Sequence, residues 1–136
     1  MRHRLYRTVS WLLALALAGC GGSGLVTVKG KVTLDGKALT SGTVTFHPSG
    51  TGATSYGTLQ SDGTFRVQSG TEQGLAPGKY RVTVMAMAAS PTPGPGNVEV
   101  VPKSLVPAKY TSPGTSGLEY TVPAGGGQFD IALKSP

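Results

Sequence analysis

From Leu25 onward the chain alternates: Val26, Val28, Val32 and Leu34 share one face with Gly30, while Thr27, Lys29, Lys31 and Thr33 take the other. A period of two is the signature of a half-buried strand. Asp35-Gly36 then supplies a tight turn, because Gly accepts positive φ without steric cost and Asp tolerates it. The segment 42–48 repeats the alternation, with Val44 and Phe46 inward and His47 outward. Segments 55–60 and 64–68, separated by Ser61-Asp62-Gly63, predict a hairpin. Along 79–86, Tyr80, Val82, Val84 and Ala86 fall on the core side, and 118–122 and 128–133 alternate again on either side of Gly125-Gly126-Gly127. Seven short strands punctuated by turns, with no helical period, predict an all-β domain over residues 25–136. The expected form is a seven-stranded antiparallel two-sheet Greek-key sandwich.

Two stretches fall outside this pattern. Residues 87–117 are rich in Pro, Ser and Gly, beginning with Ser90-Pro91-Thr92-Pro93-Gly94-Pro95-Gly96, a composition that favours extended, solvated backbone. Within them Val98-Glu99-Val100 reads as a short edge strand, and Pro102 and Pro107 interrupt any ladder. At the N-terminus, Arg2, His3, Arg4 and Arg7 precede an apolar run of eight residues, Trp11 to Ala18. Eight residues are too few to cross a bilayer, which takes about 20 as a helix. A positive start, a short apolar run and small residues beyond it describe a secretory signal, so residues 1–19 are expected to be removed and the rest exported.

Leu17-Ala18-Gly19-Cys20 resembles the lipobox of bacterial lipoproteins at every position. The resemblance implies cleavage between Gly19 and Cys20, a diacylglyceryl group on the Cys20 thiol, and a fatty acyl chain such as palmitate on the new amino group. Gly21 rather than Asp follows the cysteine, which by the same resemblance implies the outer membrane of a two-membrane envelope. Residues 20–24 then form the lipidated cysteine and a Gly-rich tether with a root-mean-square span on the order of 11 Å. The alternative is an ordinary signal cut after Ala18, since Ala16-Leu17-Ala18 also fits an A-x-A site. That cut leaves a lone free thiol in an oxidising compartment.

Composition narrows the function classes. Charged residues make up 13% of the chain, about half the share of roughly 25% in ordinary globular domains, which argues against a coiled coil or a long-helix protein. The formal charge of +6 suggests nucleic acid only until the signal is set aside: nine Lys/Arg then face six Asp/Glu, scattered singly along the sequence. No nucleic-acid partner is expected. One cysteine makes no internal disulfide, and with two histidines, His3 and His47, a Cys/His zinc site lacks ligands.

The most specific local pattern after the signal is Gly74-Leu75-Ala76-Pro77-Gly78-Lys79-Tyr80. It resembles the tyrosine corner of sandwich domains, which implies that Leu75, Pro77, Gly78 and Tyr80 are structural. With Gly30-Lys31-Val32-Thr33-Leu34-Asp35-Gly36-Lys37-Ala38-Leu39, Gly42-Thr43-Val44-Thr45-Phe46 and Asp62-Gly63-Thr64-Phe65, the chain resembles the carboxypeptidase regulatory-like, transthyretin-like sandwich of many bacterial lipoproteins. The tail, with Pro107-Ala108-Lys109-Tyr110 and Gln128-Phe129-Asp130-Ile131-Ala132-Leu133, is similar to the C-terminal part of small members. The resemblance implies a transthyretin-like or immunoglobulin-like fold and no reaction. The catalytic zinc domain of carboxypeptidases is a different domain, whose ligand pattern is absent from this sequence. The transthyretin-like hydrolases end in Tyr-Arg-Gly-Ser and use additional histidines, whereas this chain ends Leu133-Lys134-Ser135-Pro136.

Catalytic chemistry finds little to work with. Once the signal is gone His47 is the sole imidazole, outward on a strand and followed by Pro48, with no base and orienter beside it. Asp35, Asp62, Glu72, Glu99, Glu119 and Asp130 are dispersed, and calcium needs six to eight oxygens. The expectation is a protein that is not an enzyme and uses no cofactor or metal. It acts as a membrane-anchored structural or protein-interaction module of the envelope, or alternatively binds extracellular glycan or peptide. Lys109 and Tyr110, in the long loop, are the expected exposed partner contacts.

Overall fold

The computed structural model describes residues 24–88, 95–96 and 102–136. The expected signal over 1–19, the expected lipidation at Cys20 and the expected strand at Val98-Glu99-Val100 lie outside the described residues. Within them the chain is all-β, and two sheets pack face to face. Their strands are β1 (Val28–Leu34), β2 (Lys37–Ala38), β3 (Thr43–Pro48), β4 (Ser55–Thr58), β5 (Thr64–Arg66), β6 (Gln68–Ser69), β7 (Glu72–Gln73), β8 (Gly78–Met85), β9 (Leu118–Val122), β10 (Gly127–Gln128) and β11 (Ile131–Leu133). Seven of them correspond to the seven alternating segments of the sequence. The other four, β2, β6, β7 and β10, are two residues each, too short to show a period.

β1 is the hub of the first sheet. On one side it pairs antiparallel with β5 and then β2; on the other it pairs in parallel with β10 and then β11. The register of β10 continues into β11, so 127–133 is a single strand along β1 with a break at Phe129 and Asp130. These parallel pairings depart from the expected wholly antiparallel arrangement. The last strand crosses over from β9 in the other sheet, enters beside Val28 at the start of β1 and runs along it to Leu34 in one register. Asp35 (φ 51°) and Gly36 (φ 82°) occupy the turn that folds β2 back on β1, both left-handed, as a two-residue hairpin turn of this hand requires.

The second sheet runs β7-β6-β4-β3-β8-β9, all antiparallel. The expected hairpin between 55–60 and 64–68 forms at its two ends, where the Gln60 N–H bonds the Thr64 carbonyl at 2.8 Å and Tyr56 pairs with Gln68, and it is open between them. β4 pairs with β3 and β6, whereas β5 pairs with β1 in the opposite sheet. The chain changes sheets at Val67, a buried residue whose N–H bonds the Val28 carbonyl at 2.9 Å. Arg66 thus ends one ladder and Gln68 begins the other.

The core between the sheets is aromatic at its centre. Phe46, fully buried on β3, meets Phe65 at 6.2 Å, Tyr80 at 6.3 Å and Phe129 at 6.4 Å between ring centroids. Phe129 in turn stacks on Tyr120 at 4.4 Å. Val28, Val32, Val44, Val82, Val84, Ile131 and Leu133 fill the surrounding space. Part of the expected long loop is built in: Met87 bridges to Ser104, Val106 is buried, and Ala108–Thr111 forms one 3-10 turn.

Candidate functional site

The outer face of β1 carries Lys29 and Lys31, two residues apart and therefore on one side of the sheet. On β5, Arg66 lies directly opposite Lys29, and Thr64 opposite Lys31. On the other flank Gln128 is in register with Lys29, and Asp130 falls beside Lys31. The result is an open groove of about 370 Å³ lined by these six residues with Gly30 and Phe65 at its floor.

Gly30 makes this arrangement possible. A Cβ there would lie 1.9 Å from the Phe129 carbonyl oxygen, so a glycine is needed for the last strand to pass over β1. The Phe129 N–H bonds the Lys29 carbonyl at 2.8 Å, which turns Asp130 toward the groove. Its Oδ1 accepts the Lys31 backbone N–H at 3.1 Å, and both of its oxygens lie 3.1 Å from Gln128 Nε2. The carboxylate is therefore held in one orientation although it is exposed.

One pairing in the groove opposes folding. Like charges directly opposed across an antiparallel pair cost up to about 1 kcal/mol, and Lys29 faces Arg66 in this way. Among the described residues the one ion pair within 4.0 Å is Arg81 with Glu119, on the other sheet, so none of the three groove cations is in direct contact with a carboxylate, although Lys31 lies near enough to Asp62 to favour its ionised form. The expectation of singly scattered charges is corrected at this point, since pairing of β5 with β1 gathers three of them. Sequence reasoning overlooked the groove because nothing in the local pattern shows that Thr64–Arg66 also pairs with β1. The signal was nonetheless present: Lys29, Lys31 and Arg66 all fall on polar positions of alternating strands.

A second hollow of about 270 Å³ shares Thr64, Phe65 and Arg66 with the groove and continues past them to Gln60, Gln68 and Gln73. Together the two form a polar track across the seam between the sheets. Another hollow, of about 480 Å³, runs beside Leu25, Pro48, Ser55, Pro77 and Tyr80, with Lys79 its single charge.

The residues singled out in the sequence lie elsewhere. Leu75 is buried and exchanges backbone hydrogen bonds with Val26 at 2.9 Å. Pro77 and Gly78 are exposed at the entry to β8. Tyr80 packs inward, and its hydroxyl donates to the Ala76 carbonyl at 2.9 Å; burial raises its phenol above the ordinary 10.0. His47 Nε2 lies 3.1 Å from Thr83 Oγ1 on the outer face of the second sheet. Asp62 accepts from the Thr64 hydroxyl at 2.6 Å and the Thr64 N–H at 3.0 Å, and these bonds hold its carboxyl below the ordinary 3.8.

The pair Lys109 and Tyr110 divides. Lys109 is exposed, with Nζ 4.8 Å from the Tyr110 ring centroid. Tyr110 is corrected from exposed contact to packed residue: it is 7% exposed, and its hydroxyl accepts the Lys134 N–H at 3.2 Å, fastening the 3-10 turn to the C-terminal strand. Comparison with protein-family models, curated proteins and solved structures finds no match for this chain.

Proposed function

We propose that this chain is a non-catalytic lipoprotein of the bacterial envelope, held at the membrane through Cys20 and acting as a structural or protein-interaction module. The observation that carries the reading is Leu17-Ala18-Gly19-Cys20 directly after a positive start and a short apolar run. One acyl chain binds a membrane only marginally, whereas two or more hold it stably, so a fully processed Cys20 is a lasting anchor. The short tether keeps the sandwich near the headgroups of what we take to be the outer membrane. Cofactor, metal and nucleic acid have no part in this reading.

A second reading, extracellular glycan or peptide binding, draws support from the polar track on the sandwich surface. Lys109 remains a candidate contact for an envelope protein. The anchor is tested by fractionation and intact mass together. Wild-type protein is expected with the membranes, at a mass that starts at Cys20 and includes the diacylglyceryl and acyl groups. Cys20→Ala is expected to lose the lipid mass and leave the membrane fraction. Membrane retention of that variant, or a wild-type mass without lipid, would overturn the anchor.

A further inference from the structure

Three cations without a direct ion pair, an oriented carboxylate, an amide and a hydroxyl converge on one groove. Lys29 and Arg66 oppose each other across β1 and β5 at a cost in stability, and Lys31 stands next to them on the same face. A like-charge pair of this kind is relieved when an anion lies between its members. The anion site is not purely electrostatic, however, because Asp130 lies in the same groove. A carboxylate repels a bare phosphate or an anionic headgroup surface, but it accepts hydrogen bonds from hydroxyls. Thr64 and Gln128 add further groups that pair with hydroxyls.

Acid and hydroxyls on one ligand, presented along an extended path, describe an acidic polysaccharide. We infer that the Lys29, Lys31 and Arg66 groove binds such a polymer, with the cations on the acidic group of one sugar and Asp130 on hydroxyls of the same or the next. The continuous hollow beyond Thr64 and Arg66, lined by glutamine amides, gives neighbouring sugars an uncharged path. Arg66 stands where the two hollows join, so it touches the ligand from both sides. The inference rests on the second reading above and names the ligand class.

The test uses the full-length chain and titrates polygalacturonate, neutral dextran and poly-glutamate. Polygalacturonate is expected to bind, dextran weakly, and poly-glutamate less tightly than polygalacturonate. Lys29→Gln with Arg66→Gln is expected to weaken polygalacturonate by about tenfold or more, the scale of losing charge-assisted hydrogen bonds. Lys37→Gln with Lys79→Gln, equal in charge but away from the groove, is expected to leave binding unchanged. Asp130→Asn separates the two chemistries, since it keeps an acceptor for the Lys31 N–H but removes the charge. Hydroxyl recognition predicts weaker binding for it, whereas simple charge attraction predicts tighter binding, and tighter binding overturns the inference. Preference for poly-glutamate, or equal loss in the control variant, also overturns it. Binding of dextran without polygalacturonate overturns the acidic assignment and leaves glycan binding standing; binding of neither overturns both. Thermal unfolding of each variant at the wild-type midpoint shows that the fold is intact.

Discussion

Asp62 shows how much a single exposed side chain contributes to a turn. Its carboxylate accepts two bonds from Thr64 and so shapes the loop that delivers the chain into β5. Because those bonds favour the ionised form, the folded carboxyl titrates below its ordinary 3.8. The unfolded chain then binds the proton first as pH falls, so the contribution is present above about pH 4 and disappears below it. Asp35, whose carboxylate accepts from the Ser135 N–H and hydroxyl, shifts in the same direction for the same reason. Urea midpoints are expected to fall as the pH is lowered from about 5 to about 2.5, and Asp62→Asn is expected to flatten that fall. An equally steep fall in the variant would remove Asp62 from the account. Tyr80 contributes in another way. Its ring fills the core and its hydroxyl closes the turn on Ala76, a hydrogen bond worth about 1 kcal/mol net.

At the scale of elements, β1 decides the first sheet, since each of the sheet's other strands pairs with it. The sequence made β1 legible through its alternation, but the reason for Gly30 in its middle was not. Only the passage of Phe129 over that residue explains why a side chain is absent from an inward position. Gly30→Ala brings a methyl group against backbone that has no rotamer to yield. It is expected to destabilise the fold by about 1–3 kcal/mol and to loosen the last strand first. Hydrogen exchange at Phe129 and Ile131 checks this, and unchanged protection there would contradict it. β5 shows the opposite limit of sequence reading. Its three residues alternate correctly, but periodicity gives the face of a strand and not its partner. The sheet change at Val67 therefore remained invisible, and with it the groove.

At the scale of the whole molecule, the two sheets are joined by one aromatic cluster centred on Phe46. Phe46→Ala removes the ring that touches both layers and is expected to cost about 3–5 kcal/mol in urea unfolding, with all probes shifting together. A loss below about 1 kcal/mol would mean that the sheets are held elsewhere. What the sequence by itself determined was local: the seven longer strands, their inward faces, the Asp35-Gly36 turn and a chain without helical period. Alternation and turn chemistry act over two to four residues, and so they can be read from one stretch at a time. What only the tertiary structure decided was which strands became neighbours. It placed β11 parallel to β1, buried Tyr110 under the C-terminal strand, and brought Arg66 opposite Lys29 from 37 positions further along the sequence. Those choices follow from how the inward faces pack into one core, and no stretch of the chain carries that information alone.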